Sequence, residues 1–258
     1  GKVFDAALAG GITYFDTARS YGLGERFLGR WLNRRSRVGL TVGSKWGYTY
    51  VADWDPDATI HEVKDHSLSA LRRQLGESRA ELGNHLGLYQ IHSVTPDSPV
   101  LDDAAVTGAL NELRATGVRI GLTTSGPEQA NVIRRALELA VDGTLLFATV
   151  QATWNLLERS AGPALDEAHD AGLGVIVKEA LANGRLAGSD DRADAAHLGG
   201  WPPDAVALAA AASQPWADVV LSGAATVDQL RSNLQACQVM SDLDPDSVLA
   251  AVAPIESE

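Results

Sequence analysis

The chain has 258 residues, 45% of them apolar, and its 21 Lys and Arg against 33 Asp and Glu give a formal charge of −12. A chain of this length can bury roughly three quarters of its unfolded surface, so a large core is available, while the acidic balance repels phosphate backbones and anionic lipid and argues against nucleic acid as a partner. A single cysteine, Cys237, excludes an intramolecular disulfide and a cysteine-rich metal site, and no apolar run approaches the ~20 residues that span a bilayer, so a cytoplasmic protein away from membranes is expected.

The opening residues GKVFDAALAGG read as a helix and lack the apolar core of a signal peptide. Starting on Gly and directly on a helical pattern, the sequence suggests that some upstream residues are absent from it. Seven short β-branched or apolar runs follow: ITYFDTA (12–18), VGLTVGSK (38–45), LGLYQIHS (86–93), VRIGLTTSG (118–126), LFATVQAT (146–153), LGVIVKEA (173–180) and DVVLSGA (218–224). Six of the seven carry Gly, Ser, Thr, Asp or His within their last three residues, and helical segments such as PEQANVIRRALELA (127–140) lie between them, that one opened by a proline its first turn tolerates. Apolar strands joined by helices imply a parallel sheet covered on both faces, either a barrel or a doubly wound sheet. Two longer inserts, 46–57 and 183–204, directly follow strand ends. Active sites of (β/α)8 barrels are built from loops at those ends, which favours the barrel. No linker or composition shift divides the chain, and residues 1–258 are read as one domain.

Three ionisable groups of different chemistry close successive strands: Asp16, Lys45 and His92. Tyr21 follows Asp16 in DTARSYG, before the helix GERFLGRWL, on the same rim. An ammonium beside a phenol favours the phenolate, a carboxylate keeps the ammonium charged and oriented, and an imidazole can donate to a substrate oxygen. Such a set suits protonation of a carbonyl oxygen as hydride reaches carbon.

With these residues in place, the sequence resembles the aldo-keto reductases. The matching segments are GITYFDTARSYGLGERFLGRWL (11–32), SKW (44–46), LYQIHS (88–93), QATWNLLER (151–159), LANGRL (181–186) and VLSGAATVDQLRSNLQA (220–236). The resemblance implies a (β/α)8 TIM barrel whose first strand is missing from this sequence. It also implies an oxidoreductase that reduces an aldehyde or ketone with NADPH, with NADH as the lesser alternative. Tyr21 is then the general acid, tuned by Lys45 and Asp16, and His92 orients the small-molecule carbonyl. Cofactor positions carry over to Thr123, Thr124, Gln151, Lys178, Glu179, Leu181, Gly223, Thr226, Gln229 and Asn233. Thr124 stands where relatives commonly have Asn, and Lys178-Glu179-Ala180 where they offer an aromatic ring. The cations that often grip the 2′-phosphate are absent at the matched positions, although Arg231 is close in sequence. A second reading keeps the barrel but makes it a catalytically weak binding or regulatory protein, and a third makes Lys178 or Lys45 a Schiff-base nucleophile.

Other features read as structural. Arg30, Arg34, Arg35 and Arg37 complement a helix C-terminus. His61, Glu62 and His66 have metal-ligand chemistry, but read as a helix they face apart, and no metal site is expected. Trp46, Trp54 and Trp201 are candidates for an apolar substrate wall.

Overall fold

The computed structural model describes residues 1–34, 39–52, 55, 57–188, 199–242 and 244–251. Arg35, Arg37, Trp54 and the middle of the second insert lie outside the described residues. Two compact units emerge, one comprising Gly1, Ile12–Ser125 and Arg135–Thr149, the other Lys2–Gly11, Gly126–Arg134 and Val150–Glu258.

The first unit holds β1 (Tyr14–Asp16), β2 (Thr41–Trp46), β3 (Tyr48–Tyr50), β4 (Glu62–Lys64), β5 (Leu86–Val94), β6 (Arg119–Thr124), β7 (Ala140–Val141) and β8 (Thr144–Leu145). β1, β2, β5 and β6 are neighbours in that order and pair in parallel, with Asp16 opposite Gly43 and Lys45 opposite Gln90. Burial is nearly continuous along β2, β5 and β6, as a parallel sheet covered on both faces requires. The helices Gly24–Leu32 and Leu68–Leu82 pack on each other, and Leu28, Trp31, Leu71 and Leu82 are buried among them. Ser67 caps the second of these helices and Asp103 caps Ala104–Ala115, each side chain accepting first-turn N–H groups.

In the second unit are β9 (Thr149–Thr153, all but its first residue), β10 (Gly174–Lys178) and β11 (Val219–Val220), with β10 and β11 parallel. Its helix Pro203–Ala212 is buried from Ala205 to Ala211 and packs against Val227–Leu234 and Ala236–Asp242. A helix whose side chains are mostly alanine can be enclosed on every side because neighbouring backbones approach it closely.

β1, β2, β5, β6, β9, β10 and β11 all lie inside the seven runs expected to be strands, apart from one-residue extensions of β2 and β5. Two antiparallel pairs were not anticipated. β3 pairs with β4 across the first insert, so the segment around His61 and His66 is extended and not helical, which corrects the geometry used to exclude a metal there. β7 pairs with β8 through Asp142 and Gly143, at φ 53° and 75°. Two consecutive left-handed residues make the turn that hairpins favour, and Asp-Gly is its sequence signal. That hairpin also ends the helix expected to reach residue 140 at Leu137. No described helix is long and apolar enough to cross a membrane.

Candidate active site

Within the first unit, Asp16 ends β1, Lys45 is the penultimate residue of β2 and His92 lies near the end of β5. The Lys45 side chain is only 1% exposed; its ammonium is ion-paired with Asp16 and donates to the Thr17 carbonyl at 3.0 Å. Burying a cation this deeply requires a paired and hydrogen-bonded counter-charge. Asp16 also accepts from the Tyr14 hydroxyl at 2.9 Å and from Gln90 Nε2 at 3.3 Å. Tyr14 and Gln90 each precede a tetrad residue by two positions, the strand period that puts side chains on one face. Gly43 makes room for this arrangement, since a Cβ there would collide with the Tyr14 hydroxyl. Burial first, and then the negative charge of Asp16, pushes the Tyr14 hydroxyl far above its ordinary range.

Tyr21 sits on the turn between β1 and the helix Gly24–Leu32 and is 49% exposed. The Lys45 ammonium lies 4.9 Å from the centroid of its ring, and the His92 ring meets it edge-on at 5.6 Å. His92 is buried, with Tyr48 on another side at 5.1 Å. Its main-chain oxygen accepts from His66 Nε2 at 2.8 Å. Burial holds the His66 imidazole down to about 4, so it is the neutral ring that donates there. His66 also packs edge-on against Trp46 at 5.7 Å. Gly47, at φ 111°, permits this, because a Cβ would strike the His66 ring. Ser93, directly after His92, adopts φ 53° and donates its N–H to Thr123 Oγ1 at 2.7 Å. Thr123 therefore braces the His92 turn, a contact that the sequence alone did not indicate.

Chemically, a half-exposed phenol stands over a buried cation with an imidazole beside it. A cation this close to a phenol ring can stabilise the negative charge left when a phenol gives up its proton.

The second unit contains a cavity of about 450 Å³, and six expected cofactor residues line it: Lys178, Glu179, Leu181, Gly223, Gln229 and Asn233. Glu179 and Asn183 in its lining adopt φ of 56° and 55°. Left-handed backbone at non-glycine residues concentrates at ligand-binding segments. Thr226 caps the helix Val227–Leu234, and Gln229 Oε1 accepts the N–H groups of Ala225 and Thr226 at 3.0 and 3.1 Å. Asn233 Nδ2 donates to the carbonyl and hydroxyl of Ser222, at 3.0 and 2.8 Å. Glu179 accepts from Thr153 Oγ1 at 3.0 Å and meets Lys178 at 3.2 Å. Arg231 is 73% exposed and pairs with Asp228 at 3.2 Å. Thr123, Thr124 and Gln151 are buried strand residues, the first two in the first unit, and they do not line this cavity.

Trp46 is a correction to the expected substrate wall: it ends β2 and is fully enclosed. Trp201 lies just before the helix Pro203–Ala212 and is half-buried. Among the described residues, no three His, Cys, Asp or Glu side chains are grouped to hold a metal.

Residues 2–251 match the family model described as the aldo/keto reductase family. An uncharacterized oxidoreductase, YrpG, of Bacillus subtilis strain 168 is 27% identical, the aligned region covering 98% of this chain and 86% of that protein. A D-threo-aldose 1-dehydrogenase of a Pseudomonas species is 28% identical, covering 78% of this chain and 65% of that one. Among solved structures, the aldo-keto reductase AKR11C1 of Bacillus halodurans in its holo form superposes with a TM-score of 0.78 at 22% identity, covering all of this chain and 88% of that one. The glycerol dehydrogenase AKR11B4 of Gluconobacter oxydans gives 0.74 at 22% identity, covering 100% and 86%. The structural likeness places the fold in the (β/α)8 class.

Proposed function

The chain belongs to the aldo/keto reductase family of oxidoreductases, and from that premise we propose that it reduces an aldehyde or ketone to the alcohol, with Tyr21 as the proton donor and NADPH, or less favourably NADH, as the hydride source. The observation that carries this reading is the buried ion pair of Lys45 and Asp16 beneath the half-exposed ring of Tyr21, with His92 edge-on to it. When bound, the nicotinamide supplies hydride to the carbonyl carbon. Tyr21 gives its proton to the carbonyl oxygen as negative charge grows there, and the Lys45 cation stabilises the phenolate left behind. Asp16, held by Tyr14 and Gln90, keeps that cation in place. His92, braced by His66 and the Ser93 turn, orients the oxygen of the substrate.

The cofactor fits the second unit's cavity on three counts. Its volume lies within the range of small-molecule sites, its wall includes glycine and amide groups, and its backbone is fixed by hydrogen bonds of its own loop. Lys178, Glu179, Leu181, Gly223, Gln229 and Asn233 would hold it, with Thr226 setting the helix end. Arg231 pairs with Asp228 at the surface and does not line the cavity.

Tyr21→Phe tests the proposal. Turnover of an aldehyde panel that includes aldoses and trioses, chosen because two relatives are named for an aldose and for glycerol, falls by about 10²–10⁴-fold. Cofactor affinity, followed by tryptophan fluorescence, stays within about twofold, since the hydroxyl takes part in proton transfer and not in holding the nucleotide. Unchanged turnover, or lost binding, overturns the assignment.

A further inference from the structure

Lys45 and Glu25 are the two charged side chains among the buried described residues, each 1% exposed. Lys45 belongs to the site above, whereas Glu25 has no part in it so far. Isolated burial of a carboxylate is costly, and a buried ion pair is weak grounds for stability by itself, so its partners are the informative observation. Glu25 opens the helix Gly24–Leu32, where the helix dipole favours an anion. It accepts from Ser44 Oγ at 2.6 Å, from Ser78 Oγ at 2.6 Å, and from the Arg19 guanidinium, with which it forms an ion pair.

These partners are the neighbours of the reacting groups. Ser44 precedes Lys45 on β2, and strand alternation sends the two side chains to opposite faces: Lys45 to Asp16, Ser44 to Glu25. Arg19 lies two residues before Tyr21, and its main-chain N–H donates to the Lys45 carbonyl at 2.9 Å. Arg19 Nε also meets Glu77 at 3.4 Å. The turn that carries Tyr21 is thus tied to β2 through its backbone and to Glu25 through its arginine. Tyr21 is half exposed, so burial of its own ring does not fix its position.

We infer that Glu25 and Arg19 are positioning residues for the proton donor: a buried carboxylate anchored on Ser44 and Ser78 holds Arg19, and through it the Tyr21 turn, in register with Lys45. The inference rests on the reading of Tyr21 as proton donor. A misplacement on the scale of an ångström is enough to cost orders of magnitude in a proton-coupled step.

The test compares Arg19→Met, Arg19→Lys and Glu25→Gln with the parent and with Tyr21→Phe. The measurements are steady-state and single-turnover reduction of para-nitrobenzaldehyde by NADPH, fluorescence titration of NADPH, and thermal unfolding. Arg19→Met and Glu25→Gln lower the single-turnover rate about tenfold or more, with KM for the aldehyde and the NADPH dissociation constant within about twofold. Arg19→Lys, which keeps a cation, recovers at least half of that loss on a logarithmic scale. If Glu25→Gln does not fold, the Arg19 pair decides, because Arg19 is partly exposed and Ser44 and Ser78 still donate to the Glu25 carboxylate when the guanidinium is gone. Rates within twofold of the parent in Arg19→Met, or loss that tracks only the folded fraction without rescue by lysine, overturn the inference while leaving the Tyr21 reading intact. Full activity in Tyr21→Phe overturns both.

Discussion

The two regions that carry the candidate chemistry are organised differently. Around Lys45 in the first unit, long-range contacts dominate: Asp16 meets Lys45 and Gln90, which are 29 and 74 residues away in sequence. Around the cavity in the second unit, key polar side chains hold their own loops. Gln229 bonds residues three and four positions back, and Asn233 bonds Ser222 eleven back. One region is preorganised by charge, the other by local hydrogen bonds and left-handed backbone. Electrostatic preorganisation matters where charge develops during reaction, while a loop that holds itself matters where a ligand must be received.

The sharpest way to break this contrast is Lys45→Met. It leaves Asp16 without its cation in a site where that carboxylate is 10% exposed. Unfolding in urea shows a loss of about 3–5 kcal/mol, and turnover falls by at least about 10²-fold. A variant of parental stability and rate would mean that charge does not organise the first region.

A second test uses pH. His66 titrates at about 4 in the folded protein, below the ordinary histidine value of 6.5, because burial disfavours its charged form. The neutral ring therefore contributes stability that is present above 6.5 and is lost as pH falls toward 4, on the order of 3 kcal/mol if the whole shift is realised. Urea midpoints measured from pH 7 to 4 should fall more steeply in the parent than in His66→Gln, whose amide can still donate to the His92 carbonyl. Equal slopes would remove His66 from the bracing of His92.

The smallest effect is expected in the second region. Gln229→Ala deletes one half of a capping box and costs about 1 kcal/mol. Cofactor affinity weakens severalfold while the single-turnover rate at saturating cofactor stays within about twofold. A rate loss as large as the binding loss would erase the distinction between the two regions.

Much of this was legible in the sequence. Apolar runs marked β1, β2, β5, β6, β9, β10 and β11 because enclosure on both faces leaves a local record in composition. Strand ends marked Asp16, Lys45 and His92, and the Tyr14 and Gln90 partners could have been found from the period of two. The Asp142-Gly143 hairpin also had a readable signal. The β3–β4 pair was harder to read, since His61 to His66 contains no turn dipeptide and its pairing partner lies across an insert. Trp46, a candidate for the substrate wall, is enclosed instead, because burial at a strand end depends on what packs over it.

By itself, the amino-acid order determined where strands run and which ionisable groups stand at their ends, since hydrophobic period and strand length are properties of contiguous residues. Only the tertiary structure decided that Glu25 binds Ser78 across 53 residues, that Thr123 braces the turn after His92, and that Lys45 lies under Tyr21. Those meetings depend on register and helix packing, which bring together atoms with no local relation to one another.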